Sequence, residues 1–366
     1  MSADTVTSTT VRGTASGRID FLGGVGDFSG SLVLQVATSC ATTVEVTLSS
    51  LSGGGDLNPE DELTLLSPVF GESRVPLSAL RDALDAAPGG GALSPSALRA
   101  VRAMLAEFGA APWVFYVFGS VAAYALETGW LPPRGSRAVL SIASTVPLGQ
   151  GVSSSASIEV ATLRALQLAR GGASGAPVSA LRVAHVAQAA ENYVVGAPCG
   201  LMDQLASSLG APGRVLPILC RPDAVSPPIS LPAGVCIVGW PSGVEHSLAD
   251  GASPYLHART ATFMAKRVVE RLLGRSLAFI TEIPPSELHA VIDRVPESIS
   301  GDDFVRDFGG VDDGLSKINA AATYKLRATV RFPVEENFRW VVCARARTCP
   351  PPPTQSPHIP RSTTLP

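Results

Sequence analysis

The chain has 366 residues, 46% hydrophobic and 16% charged, with a formal net charge of -3. That length and composition predict about two globular domains and exclude a mostly disordered chain. With no basic excess there is no electrostatic case for nucleic acid or an anionic membrane as main partner, whereas a small anionic ligand stays open because local backbone dipoles bind anions whatever the net charge.

Taken in chain order, the polar start reads as a flexible N-terminus over residues 1–12, without an apolar signal core. Strand-like runs follow at Ser31–Val36 and Thr42–Leu48, preceded by the glycine-rich turn Gly23–Gly30. Glycine-rich loops are expected at Ser52–Asp56 and from Pro88, then a helix over Ser94–Phe108. The apolar stretch Trp113–Leu126 is too short to span a bilayer and predicts a buried helix. A strand at Ala138–Ala143 leads through Pro147–Ala156 into a helix ending near Leu168, and a second helix runs over Ser179–Val195, stopping before Pro198. Strands are expected at Val215–Cys220 and Val235–Trp240, and a long helix at Ala258–Leu273.

Strands and helices mix without regular alternation, so the expected fold class is α+β rather than a doubly wound sheet. The predicted organisation is a first domain over 13–215, a second over 216–340, and a Pro-rich tail over 341–366 that is disordered or an artefact of how the sequence was derived. The six cysteines, at 40, 199, 220, 236, 343 and 349, form no C-x-x-C pair or metal-like Cys/His cluster and read as reduced, cytosolic thiols.

Gly149-Gln-Gly151-Val152-Ser153-Ser154-Ser155-Ala156 sits between a strand and a helix. Glycines let the backbone approach an anion, and the helix start offers unpaired N–H groups. A plain glycine turn with a serine N-cap reads equally well on this segment alone. No Walker-type loop occurs, and no G-x-G-x-x-G opens a βαβ unit. Glu191 falls near a helix end, and Asp203 falls in the first turn of a helix released by Gly196, Pro198 and Gly200. An ionised Asp203 flanked by Met202 and Leu205 needs a partner if buried, and Arg18 is a candidate. Each acid on its own also reads as an ordinary solvated residue.

Three segments together resemble the GHMP kinases, the family of galactokinase, mevalonate kinase and homoserine kinase: Gly17–Gly30, Pro147–Ser157 and Glu191–Gln204. Within it the resemblance is strongest to the kinase half of plant-type L-arabinokinases, and it runs from about Gly17 to Arg339. The resemblance implies a two-domain α+β fold with the site in the interdomain cleft, ATP as donor and Mg²⁺ as cofactor. Residue by residue, it implies Asp203 as the catalytic aspartate with Arg18 beside the reacting hydroxyl. Pro147, Gly149, Gly151, Val152, Ser153, Ser154, Ser155 and Ala156 would hold the nucleotide. Ser155 (or Ser154) and Glu191 would hold Mg²⁺; Asp27, Gly200, Asp203 and Tyr255 would line the sugar pocket.

The expected reaction is transfer of the γ-phosphate to the anomeric hydroxyl of L-arabinose in the cytoplasm. The alternatives are galactose or another sugar as acceptor, or a non-catalytic sugar or nucleotide sensor. Gly24-Val25 stand where galactokinases carry a Glu-His pair, which fits an acceptor lacking the C6 group. Two departures from the family pattern stand out. Glu245 occupies a position usually held by Arg, and the family's C-terminal glycine-rich loop is absent, so the C-terminal part reads as truncated or mis-joined.

Overall fold

A computed structural model describes residues 5–52, 55–58, 61–85, 93–171, 177–221, 223–243 and 253–346. The chain opens with two long antiparallel strands, β1 (Val6–Leu22) and β2 (Leu32–Leu51), in register from Val6↔Leu51 to Leu22↔Leu34. Val6–Arg12, expected to be part of a flexible start, are strand instead. Polar residues hid them, because their outward face is stitched by hydroxyl pairs rather than apolar contacts: Ser8–Ser49 at 2.8 Å, Thr10–Thr47 at 2.9 Å, and Arg12–Glu45 at 2.6 Å. The two strand runs read from the sequence merge into the single strand β2. Along its other edge β2 pairs first with β6 (Arg214–Leu219) and then with β5 (Arg137–Ser144). Beyond β5 lie β3 (Glu62–Ser67) and β4 (Gly71–Pro76), and β7 (Ala224–Val225) and β8 (Ile229–Ser230) pair with β6.

Helices cover one face of this sheet: α1 (Leu77–Asp85), α2 (Pro95–Glu107), α3 (Pro112–Thr128), α4 (Ser154–Arg170), α5 (Ala180–Ala190) and α6 (Met202–Leu209). Val44, Val46, Leu63, Leu65 and Leu140 of the sheet meet Val117, Phe118, Val121 and Leu163 of the helices, all buried. Each such side chain contributes about 1.5–3 kcal/mol on leaving water. The apolar helix α3 belongs to this core, and among the described residues no helix is long and apolar enough to cross a membrane.

A second core forms among α7 (Pro254–Leu273), α8 (Pro285–Val291), the two-stranded pair β9 (Ile299–Ser300) with β10 (Thr323–Tyr324), α9 (Gly301–Phe308) and α10 (Leu326–Ala346). α10 also reaches back to the sheet, where Trp340 is buried with Val33 and Ile218 and the Asn337 side chain accepts from Leu32 N at 2.8 Å. The helix continues through 341–346, which the sequence assigned to the tail; residues 347–366 and Glu245 lie outside the described residues.

Val235–Trp240, expected as a strand, is a continuous apolar run with no ladder partner among the described residues, and Trp240 is 90% exposed. A short apolar run is compatible with a strand but does not say whether a neighbouring strand exists.

Candidate active site

The loop after β5 turns through two left-handed glycines, Gly149 (φ 67) and Gly151 (φ 71), where a Cβ would be strained. Ser153 follows at φ 59, ψ 52, a left-handed conformation uncommon for a non-glycine, and it occupies the N-cap of α4 without a side-chain capping bond. Its hydroxyl donates instead to Asp203 Oδ2 at 2.6 Å. The helix start therefore presents N–H groups that its own cap residue leaves unbonded, on the positive end of a 17-residue helix.

Asp203, in the first turn of α6, takes its other bonds from Arg18. Nε and Nη2 donate to Asp203 Oδ1 at 2.9 and 2.6 Å, and Nη1 donates to Gly151 O at 2.5 Å. The Arg18 amide also donates to Val152 O at 3.0 Å, tying β1 to the loop. Two register shifts in β1, between Ser16 and Arg18 and between Asp20 and Leu22, break its alternation at this point. Bulges re-aim side chains, and here Gly17 and Arg18 are buried in succession.

Beneath this pair lies a buried acidic group. Glu191 opens a π-helical turn, Glu191–Val195, at the end of α5. Its carboxylate accepts from Gln204 Nε2 at 2.5 Å and from Cys199 Sγ at 3.4 Å. Burial, then the Asp203 charge, pushes its carboxyl up to about 7. Glu159 of α4, fully buried, sits 3.4 Å from the same Gln204 nitrogen, and burial raises it well above the usual carboxylate range. A carboxylate held that high without a counter-charge is a natural ligand for a cation. Glu191 with Ser155, which bonds it, suits Mg²⁺, which takes one or two protein groups and completes its shell with phosphate and water. Among the described residues no cluster of three or more acidic, His or Cys side chains forms a self-sufficient metal cage.

At the other end, Asp27 sits within the 3-10 turn Gly24–Ser29. Its carboxyl accepts from Phe28 N at 2.8 Å and is pushed up to about 6 by burial and then by the Asp203 charge. Gly200 packs against it so closely that a Cβ there would lie 1.9 Å from Asp27 Oδ2. Asp20 Oδ2 accepts from Gly24 N at 2.6 Å and Oδ1 from Gln35 Nε2 at 2.7 Å, which fixes the turn. Tyr255 meets Phe28 edge-on at 5.8 Å.

Arg18, Asp20, Asp27, Glu191, Cys199, Gly200, Asp203 and Tyr255 border one cleft of about 920 Å³. Of the expected residues, Arg18, Asp27, Gly149, Gly151, Ser153, Ser154, Ser155, Glu191, Gly200, Asp203 and Tyr255 line it. Pro147, Val152 and Ala156 do not: Pro147 is exposed, Val152 turns its carbonyl to Arg18, and Ala156 is buried under the helix start. Sequence reading missed Asp20, Glu159 and Gln204, whose only signal is a polar residue inside an apolar run. It also missed Phe70 and Trp113, whose rings stack at 6.0 Å in the cleft wall although they come from the β3–β4 turn and the start of α3.

Residues 116–211, which carry the loop, Glu191 and Asp203, match the GHMP kinases N-terminal domain. It is 28% identical to L-arabinokinase from Arabidopsis thaliana over 369 residues, covering 89% of this chain and 34% of that protein. It is 41% identical to galactokinase from Chloroflexus aggregans over 165 residues, covering 44% of this chain and 39% of the relative. The chain thus spans well under half the length of these relatives. Its fold resembles that of Lactococcus lactis galactokinase complexed with galactose, with a TM-score of 0.59, 17% identity, and coverage of 93% of this chain and 70% of that one.

Proposed function

We propose that the chain catalyses transfer of the γ-phosphate of ATP to the anomeric hydroxyl of a sugar, with an L-arabinose-type pentose as the preferred acceptor. The observation that carries this reading is Ser153: its hydroxyl leaves the cap of its own helix and bonds Asp203, so the anion-binding helix start and the carboxylate are tied together. The nucleotide phosphates rest on the loop Gly149–Ser155, and the base lies against Phe70 and Trp113 in the apolar end of the cleft. The acceptor lies between Asp27, Gly200 and Tyr255.

Asp203 orients the C1 hydroxyl and takes its proton as the O1–P bond forms and the bond from the γ-phosphorus to the β,γ-bridging oxygen breaks, releasing ADP. Three donors fix the Asp203 carboxylate in place, which suits a loose transition state governed by positioning, in which the proton moves late. Arg18 offsets the charge on the transferring group. Ser155 and Glu191 would hold Mg²⁺, which when bound neutralises the bridging phosphate charge. Cys40, Cys199, Cys220 and Cys236 are free thiols, in keeping with a cytoplasmic enzyme.

Gly24 supports a pentose. It brings no polar side chain to the acceptor end, and a Cβ at that position would already lie 3.1 Å from the Phe332 ring. A C6 hydroxymethyl or carboxylate would find no partner on that residue. The 41% identity to a galactokinase favours galactose as the second acceptor, by the same chemistry. The test is ATP turnover against a panel of monosaccharides, with the product identified by ³¹P NMR. The expected result is sugar-dependent ADP formation with kcat/KM about 10-fold higher on L-arabinose than on galactose. Equal values would remove the pentose preference, and no sugar-dependent turnover would remove the kinase reading.

A further inference from the structure

Tyr255, Arg259 and Phe263 recur every four residues along α7 and share one face of it. Tyr255 reaches the cleft; Arg259 does not line it and lies behind its wall, only 5% exposed. Its Nε and Nη2 donate to Asp313 Oδ2 and Oδ1 at 3.0 and 3.1 Å, and Asp313 is itself fixed by Ser316 Oγ at 2.5 Å and Leu315 N at 3.4 Å. The guanidinium carbon sits 5.2 Å from the ring centres of both Phe28 and Phe263, which lie 6.0 Å apart. Phe28 is the residue after Asp27 and packs edge-on against Tyr255. Burying a cation costs heavily, and a hydrophobic residue would fill the same space more cheaply. What the arginine adds is a flat, fixed cation that grips an aromatic ring from a rigid bidentate anchor.

We infer that Arg259, anchored by Asp313, is a positioning residue for the acceptor half of the cleft: it holds Phe28, and through it Asp27 and Tyr255, against the sugar. The inference rests on the kinase reading and adds a residue outside the cleft that governs acceptor binding without touching it. It also makes the electrostatics of Asp27 depend on α7. Around Asp27 stand Arg18 and Asp20 of β1, Asp203 of α6, Cys199 in the loop before it, Cys220 after β6, and Tyr255 and Arg259 of α7. Arg259 is among the cations that favour the ionised form, the form that accepts a sugar hydroxyl.

The experiment compares wild type, Arg259→Lys, Arg259→Met and Asp313→Asn. It reads KM for L-arabinose and for ATP separately, kcat, the pH profile of kcat/KM, sugar binding by calorimetry, and the thermal midpoint. Lysine keeps the charge but loses the fork and the flat face, so the sugar KM should rise about 10-fold while the ATP KM stays within about twofold. Methionine should do the same and also shift the acid limb of the sugar kcat/KM, expected near pH 6 in wild type, to higher pH, because removing a nearby cation disfavours the Asp27 carboxylate. An equal rise in both KM values, or a lowered thermal midpoint with unchanged sugar KM and an unmoved acid limb, would reduce Arg259 to a structural clamp and overturn the inference. Calorimetry separates the two levels. Wild type that binds no sugar and turns over none defeats the kinase reading and this inference with it. Wild type that binds sugar normally, with variants that bind it equally well, defeats this inference alone.

Discussion

In the proposed kinase, Gly200 is the residue on which the acceptor pocket would turn. Its missing Cβ leaves the only room for the Asp27 carboxylate, whose Oδ2 would otherwise lie 1.9 Å from it. No rotamer of an alanine avoids that contact, so Gly200→Ala must push Asp27 or the 197–201 loop aside. The expected cost is about 1–3 kcal/mol of stability, with the sugar KM raised about 10-fold or more and nucleotide affinity within about twofold. Steady-state kinetics with each substrate varied in turn checks this; a sugar KM equal to wild type would mean that Asp27 does not face the acceptor. Arg18, Asp203 and Gly200 were singled out through the resemblance carried by three segments in order, since each acid on its own also read as an ordinary solvated residue. Gln204 and Glu159 were not. A glutamine next to the aspartate and a glutamate one turn into a helix look like surface residues until the packing around them is known, and both are fully buried.

At the scale of elements, the proposed reaction would depend on how the α4 start is tied to α6. Ser153 forgoes capping in a left-handed conformation and spends its hydroxyl on Asp203. A hydrogen bond to a charged group contributes about 1.5–3 kcal/mol. Ser153→Ala should therefore lower kcat by about 10- to 100-fold with a smaller change in ATP affinity, since the backbone N–H groups of the helix start remain. A variant with wild-type kcat would show that this bond does not hold Asp203 in its working position. Some elements were readable: α2, α3, α4, α5, α6, α7, β5 and β6 follow from apolar periodicity and turn residues, whereas α1, β3, β4 and the elements after α7 were not read. The start of β1 was not, because a strand zipped by serine and threonine pairs has no apolar alternation to betray it. Val235–Trp240 failed the opposite way, its apolar run being present but its partner strand absent among the described residues. The β1 bulges that aim Arg18 and Asp20 inward have no sequence signature beyond Gly17.

For the whole molecule, the buried acids of the cleft set a pH dependence. Asp27 rises from an ordinary 3.8 to about 6, and Glu159 rises well above the usual range, in both cases chiefly through burial. A carboxyl whose folded pKa exceeds its unfolded one binds more protons when folded, so its contribution is full below about pH 4 and is lost as pH rises through the folded value. Asp27 alone corresponds to an effect on the order of 3 kcal/mol. Carboxyls held low by partners, such as Glu335 beside Arg331, act in the opposite sense but below the window in question. The thermal midpoint without ligands should fall between about pH 4.5 and pH 7; a flat or rising profile would mean that these groups are solvated or paired in solution.

In the proposed reaction, Asp203 and the helix start after Gly151 serve one phosphoryl transfer. Asp203→Asn tests it most directly, with ADP formation on L-arabinose and nucleotide binding measured on the same preparation. The expected result is a loss of turnover of about 10³-fold or more with the nucleotide dissociation constant within about threefold of wild type. Turnover equal to wild type would contradict the account.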